Sequence, residues 1–144
     1  MKVEQLCLID DAWHDIVLSI DINPSIFLLF ISPTFKGKDE LVNKLTSLHP
    51  DATIMGCSTA GEISGVNVSD DTVSLTAIEL EKVDHKLEMV EVNSMDESYD
   101  VGAALASKLN QSNLKHVLVL SDGLNVNGAD LVSGLKSVLP KTSI

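Results

Sequence analysis

Six apolar residues in a row, Ile26-Phe27-Leu28-Leu29-Phe30-Ile31, constrain this chain more than any other feature. A half-solvated strand alternates apolar and polar side chains. An unbroken apolar run instead reads as a strand covered on both faces, as in the parallel part of an α/β sheet. The run is also too short to cross a bilayer as a helix. A turn-forming stretch, Ser32-Pro33-Thr34-Phe35-Lys36-Gly37, follows it. Residues 38–48 then place Leu41, Val42, Leu45 and Leu48 on one helical face. His49-Pro50 ends that helix, because the residue before proline avoids helical geometry, and residues 52–55 read as the next strand.

Further along, residues 72–80 and 86–92 are two β-rich runs whose spacing predicts an antiparallel hairpin. Ser94-Met95-Asp96-Glu97 has the capping-box arrangement, and Val101, Ala104, Leu105 and Leu109 continue a helical stripe ending near Asn110. Residues 116–120 are another buried-strand candidate. The helix over 128–139 carries Leu131, Val132, Leu135, Val138 and Leu139 on one face, with Asn127 as N-cap and Pro140 as stop. Residues 141–144 read as the start of another strand. Residues 11–20 fit a helix through Ala12, Trp13, Ile16, Val17 and Ile20, or a strand through Ile16, Leu18, Ile20 and Ile22; the helix is preferred. The expected architecture is a layered α/β fold, with a mixed, partly parallel sheet flanked by helices and containing one antiparallel hairpin.

At 144 residues, with 44% hydrophobic and 22% charged residues, the chain has the size and composition of one globular domain, and no linker-like stretch divides it. Acidic residues outnumber basic ones 21 to 10, for a net charge of −11, which opposes nucleic acid and anionic membrane surfaces as partners. No signal-peptide pattern follows Met1-Lys2-Val3-Glu4, so the expected location is the cytoplasm. Cys7 and Cys57 lack paired spacing and read as free thiols. Asp10-Asp11 and Ser69-Asp70-Asp71 lack calcium-loop spacing, so no metal site is expected.

Ligands of open α/β sheets bind outside the carboxyl ends of the strands, which directs attention to three exit loops, 32–37, 56–62 and 121–128. In the second, Gly56 and Gly61 bracket Cys57, Ser58, Thr59 and Ala60, giving backbone N–H groups close access while hydroxyls select orientation; Glu62 adds a charge. The third, through Ser121, Asp122, Gly123, Asn125 and Asn127, feeds a helix N-terminus that attracts anions. A pocket with carboxylates from Glu62 and Asp122, and donors from Ser58, Thr59 and the glycine backbones, suits a small zwitterion such as an amino acid. The plainer alternative is that both loops are tight connections whose polar residues cap helices.

Two other chemistries compete. A cysteine or serine hydrolase would use Cys57 or Ser58 with His14, His49 or His116 as base and Asp122 as orienter, but Ala60 breaks the G-x-S-x-G elbow and neither loop holds a histidine. Haem would need an axial ligand from His14, His116 or Cys57 and a large apolar slot. An interaction module using the acidic surface or a free sheet edge is a third class.

The stretch Ile54-Met55-Gly56-Cys57-Ser58-Thr59-Ala60-Gly61-Glu62-Ile63, followed after a second strand by Val119-Leu120-Ser121-Asp122-Gly123-Leu124-Asn125-Val126-Asn127-Gly128, resembles the N-terminal FIST domain family. The resemblance implies a non-catalytic sensory domain of signal transduction that binds small ligands such as amino acids. It would work alone or with an output such as a kinase, cyclase or chemoreceptor module. Some relatives are described as haem-binding nitric oxide sensors, which makes haem the implied cofactor alternative. It further implies a chain that continues past Ile144 into another strand, a glycine-rich segment and a C-terminal FIST domain, so the expected domain over 1–144 is incomplete at its C-terminal end.

Overall fold

The apolar run forms strand β2 (Ile26–Ile31), with Phe27 and Leu29 buried and their neighbours half-buried. The computed structural model describes residues 1–9, 12–109 and 112–144. Asp10 and Asp11, including the start of the helix expected over 11–20, and the expected helix end at Asn110 lie outside the described residues. The chain forms two compact units, Met1–His85 and Lys86–Ile144.

In the first unit, β1 (Lys2–Ile9) leads to helix α1 (Trp13–Val17), then β2, α2 (Lys38–Leu48), β3 (Thr53–Ser58), β4 (Glu62–Ser64), β5 (Asn67–Ser69) and β6 (Thr72–Glu79). The ambiguous segment is therefore helical at its described core, where Trp13 and Val17, one turn apart, are both buried. Four strands make one sheet in the order β1, β6, β2, β3; β2 and β3 run parallel, while β6 is antiparallel to both β1 and β2. Parallel neighbours need a crossover, and α2 supplies it between β2 and β3.

The architecture is the mixed, partly parallel sheet with helices that the sequence predicts, and the antiparallel hairpin forms a separate two-stranded sheet beside it in the chain. Its location differs: β4 and β5 form it, with Glu62 opposite Ser69. The pairing expected between residues 72–80 and 86–92 does not occur, because β6 already has β1 on one edge and β2 on the other. Residues 86–92 carry no strand assignment, and β1, unassigned from sequence, takes the place expected for them. The core joins the two helices to the sheet through Leu8, Trp13, Val17, Phe27, Leu29, Leu41, Leu45, Val73 and Leu75. Each such side chain contributes about 1.5–3 kcal/mol when fully buried.

The second unit is built on two helices, α3 (Ser98–Leu109), entered through a 3-10 turn at Met95–Glu97, and α4 (Gly128–Val138). They pack backbone to backbone at two glycines. A Cβ on Gly102 would lie 2.3 Å from the Leu131 carbonyl oxygen, and one on Gly134 would lie 2.0 Å from that of Tyr99. Around this crossing Ala106, Leu109, Val117, Leu131, Leu135 and Leu139 form a core.

Asn127 caps α4 as expected, its Oδ1 accepting from Ala129 N at 3.1 Å and Asp130 N at 3.3 Å. The capping box at Ser94 is not closed: Ser94 makes no side-chain cap, and Glu97 Oε2 accepts from Asn93 N, one residue earlier. Residues 116–120 and 141–144 meet in a single parallel bridge, His116 with Ser143, where Val117 N donates to Ser143 O at 2.8 Å.

Candidate functional site

The motif from Gly56 to Glu62 is less a loop than the sequence suggests. Gly56, Cys57 and Ser58 end β3, only residues 59–61 turn, and Glu62 opens β4. Gly56 has a steric reason to be glycine, because a Cβ there would fall 2.0 Å from the Leu29 carbonyl oxygen of β2. At Gly61 a Cβ would meet Val68 at 3.5 Å and Asp70 at 3.7 Å, ordinary contacts. The two glycines that bracket the motif therefore do different work, and the first serves strand pairing.

Glu62 is 2% exposed, and its carboxyl group is fully engaged within the chain. Thr59 Oγ1 donates to Oε1 at 2.7 Å, while Thr72 N and Thr72 Oγ1 donate to Oε2 at 3.3 and 3.1 Å. A buried acid is tolerated only with such partners, and these tie the β3–β4 turn to the start of β6. Beside them Ser32 N donates to Thr72 O at 3.0 Å and Thr59 N to Ile31 O at 3.1 Å, which closes the carboxyl ends of β2 and β3. In the first exit loop Thr34 Oγ1 donates to Asp71 Oδ1, and Lys38 Nζ donates to Pro33 O at 3.2 Å.

At this end of the sheet lies a depression of about 250 Å³, lined by Leu29 and Ile31 of β2, Lys38 and Val42 of α2, and Ile54, Met55, Gly56, Cys57 and Ser58 of β3. Three of the motif residues thus border it, and Thr59, Gly61 and Glu62 do not. Lys38 carries no mark in the sequence, and Val42 and the apolar floor read there as core and not as part of a site. The signal for them was the helix face of α2, which reads as core and gives no sign that Val42, 36% exposed, stands at its margin.

In the second unit Ser121 and Asp122 border another depression, of about 190 Å³, with Val90, Val92, Val101, Leu105, Val119, Leu120, Val126 and Leu131. Asp122 is exposed and turns on its own loop. Its Oδ1 accepts from Leu124 N at 2.7 Å and Asn125 N at 3.3 Å, and its Oδ2 from Asn125 Nδ2 at 2.8 Å. The Leu124 N–H, then the Asn125 side-chain amide and backbone N–H, hold its carboxyl below the usual carboxylate range. Asn127 is taken by the α4 cap, and open space surrounds Gly123. Both carboxylates that the sequence offers to a ligand ammonium thus already hold three donors each.

Residues 25–144 match the family model of the FIST N domain. The chain belongs to the FIST N domain family. The FIST domain is a sensory domain of signalling proteins. No curated protein and no solved structure matches the chain.

The other chemistries can be placed on this FIST N domain. Cys57 and Ser58 make no hydrogen bond to a histidine among the described residues: His14 stacks on Trp13 at 3.7 Å, His49 meets the Phe27 ring edge at 5.4 Å, and His85 Nε2 pairs with Thr53 Oγ1 at 3.1 Å. Cys7 and Cys57 are both free thiols. A haem does not fit the depression that Cys57 borders. Its volume is below the roughly 300–1,000 Å³ of drug-sized sites, and neither His14 nor His116 lines it. Among the described residues no group of three or more His, Cys, Asp or Glu could hold a metal ion, and no helix is long and apolar enough to cross a membrane.

Proposed function

We propose that this FIST N domain is a non-catalytic small-ligand sensor of a cytoplasmic signalling protein, taking an amino-acid-like ligand at the carboxyl ends of β2 and β3. The observation that carries the reading is the depression bordered by Gly56, Cys57 and Ser58, where the family motif meets the parallel strand pair. Strand ends of this kind are the usual ligand sites of α/β sheets, and apolar walls with a few polar groups are their usual lining. Ser121 and Asp122, at the second depression, are a further candidate contact for the same kind of ligand. The output would be a kinase, cyclase or chemoreceptor module, and the charge of −11 favours such partners over nucleic acid or an anionic membrane.

A thermal-shift screen of amino acids and their deaminated relatives tests this. A specific ligand at a hundred times its Kd stabilises the fold by about 2.7 kcal/mol. Val42→Trp, which fills the depression from its exposed margin, should abolish that shift and leave the unliganded melting temperature in place. A screen in which no compound stabilises the protein, or in which Val42→Trp leaves the shift intact, overturns the assignment.

A further inference from the structure

The depression at the ends of β2 and β3 has an uneven chemistry. Leu29, Ile31, Val42 and Ile54 give it hydrocarbon walls, and the lining residues with polar side chains on that face of the sheet are Lys38 and Ser58, since Cys57 alternates to the opposite face. Lys38 donates once, to Pro33 O at 3.2 Å, and makes no ion pair among the described residues, so two of its N–H donors are open. Ser58 is exposed and its hydroxyl makes no hydrogen bond among the described residues. No carboxylate lines the space. Asp39 and Glu40 follow Lys38 on α2, at one and two residues along, spacings that turn their side chains to other faces of the helix.

We infer that the ligand taken here is a short aliphatic carboxylate, recognised by its hydrocarbon part and its carboxylate and not by an ammonium group. This rests on the ligand-sensing reading above and sharpens it. The carboxylate would meet Lys38 and Ser58 at the rim, and the alkyl group would lie against Leu29, Ile31 and Ile54. An amino acid of the same skeleton brings an ammonium group into a site that offers it a neighbouring cation and no acid, because the Glu62 carboxyl is already held by Thr59 and Thr72. A depression of about 250 Å³ has room for an acid with a handful of carbons.

The probes are 4-methyl-2-oxopentanoate, leucine and isoamylamine, which share a skeleton and differ in charge, titrated into the 144-residue protein by calorimetry and by amide chemical shifts of the β3 residues. The oxo acid should bind, leucine about tenfold or more weaker, and the amine not at all. Lys38→Gln should weaken the oxo acid at least about tenfold while the unliganded melting curve stays put, since Lys38 is exposed. Leucine or isoamylamine binding as tightly as the oxo acid, or oxo-acid binding untouched by Lys38→Gln, overturns the inference and leaves the sensory reading standing. Silence from all three overturns it as well, and the sensory reading falls only if the wider metabolite screen is silent too.

Discussion

At the scale of single residues, the family motif mixes structural and exposed positions that look alike in sequence. Gly56→Ala pushes a methyl group onto the Leu29 carbonyl, 2.0 Å from where it would stand, so it should destabilise the first unit by about 1–3 kcal/mol. Gly61→Ala meets only ordinary contacts and should stay within about 0.5 kcal/mol. Urea unfolding of the two variants side by side checks the contrast, and equal losses would remove the distinction.

Asp122 gives a pH test. Its carboxyl is held below the ordinary range in the folded loop, so the order it confers is complete above the unfolded-state value and is lost as pH falls through the lowered folded value. The Leu124 and Asn125 amide resonances should therefore keep their positions through mild acid and move only below the usual aspartate range. In Asp122→Asn that titration should vanish.

At the scale of elements, periodicity was a good guide to helices and a poor guide to strand partners. The helix over residues 38–48 has the bounds read from its apolar face, and α4 starts at the Asn127 cap that its sequence announces. Helices are legible because their hydrogen bonds and caps are local. Strand pairing is decided by distant residues: β1 and β6, which are antiparallel partners, are separated by two helices and four other strands.

The α3–α4 crossing is decided at a distance in the same way. By propensity, Gly134→Ala in the middle of α4 should gain up to about 1 kcal/mol. The Tyr99 carbonyl, 2.0 Å from the added Cβ, should reverse that sign, so the variant should melt lower than the parent in a thermal scan. A higher melting temperature would mean that the two helices are not in backbone contact at this point.

At the scale of the whole molecule, an excess of 21 acidic over 10 basic residues sets the far field. The protein should pass through heparin at physiological salt and be retained by an anion exchanger; retention on heparin would reveal a basic patch strong enough to override the net charge. By itself the sequence determined the α/β class, the family, the free thiols, the helix α2 and the cap of α4, because these rest on composition, local periodicity and short motifs. Only the tertiary structure decided that the hairpin is β4–β5, that β6 is the inner strand between β1 and β2, and that Gly56 answers to a neighbouring carbonyl. It also gave both acids partners within the chain, the buried Glu62 with Thr59 and Thr72 and the exposed Asp122 with its own loop. A carboxylate reads the same in sequence whether its partner is a ligand or a distant threonine, and only the folded chain brings that threonine within hydrogen-bond reach.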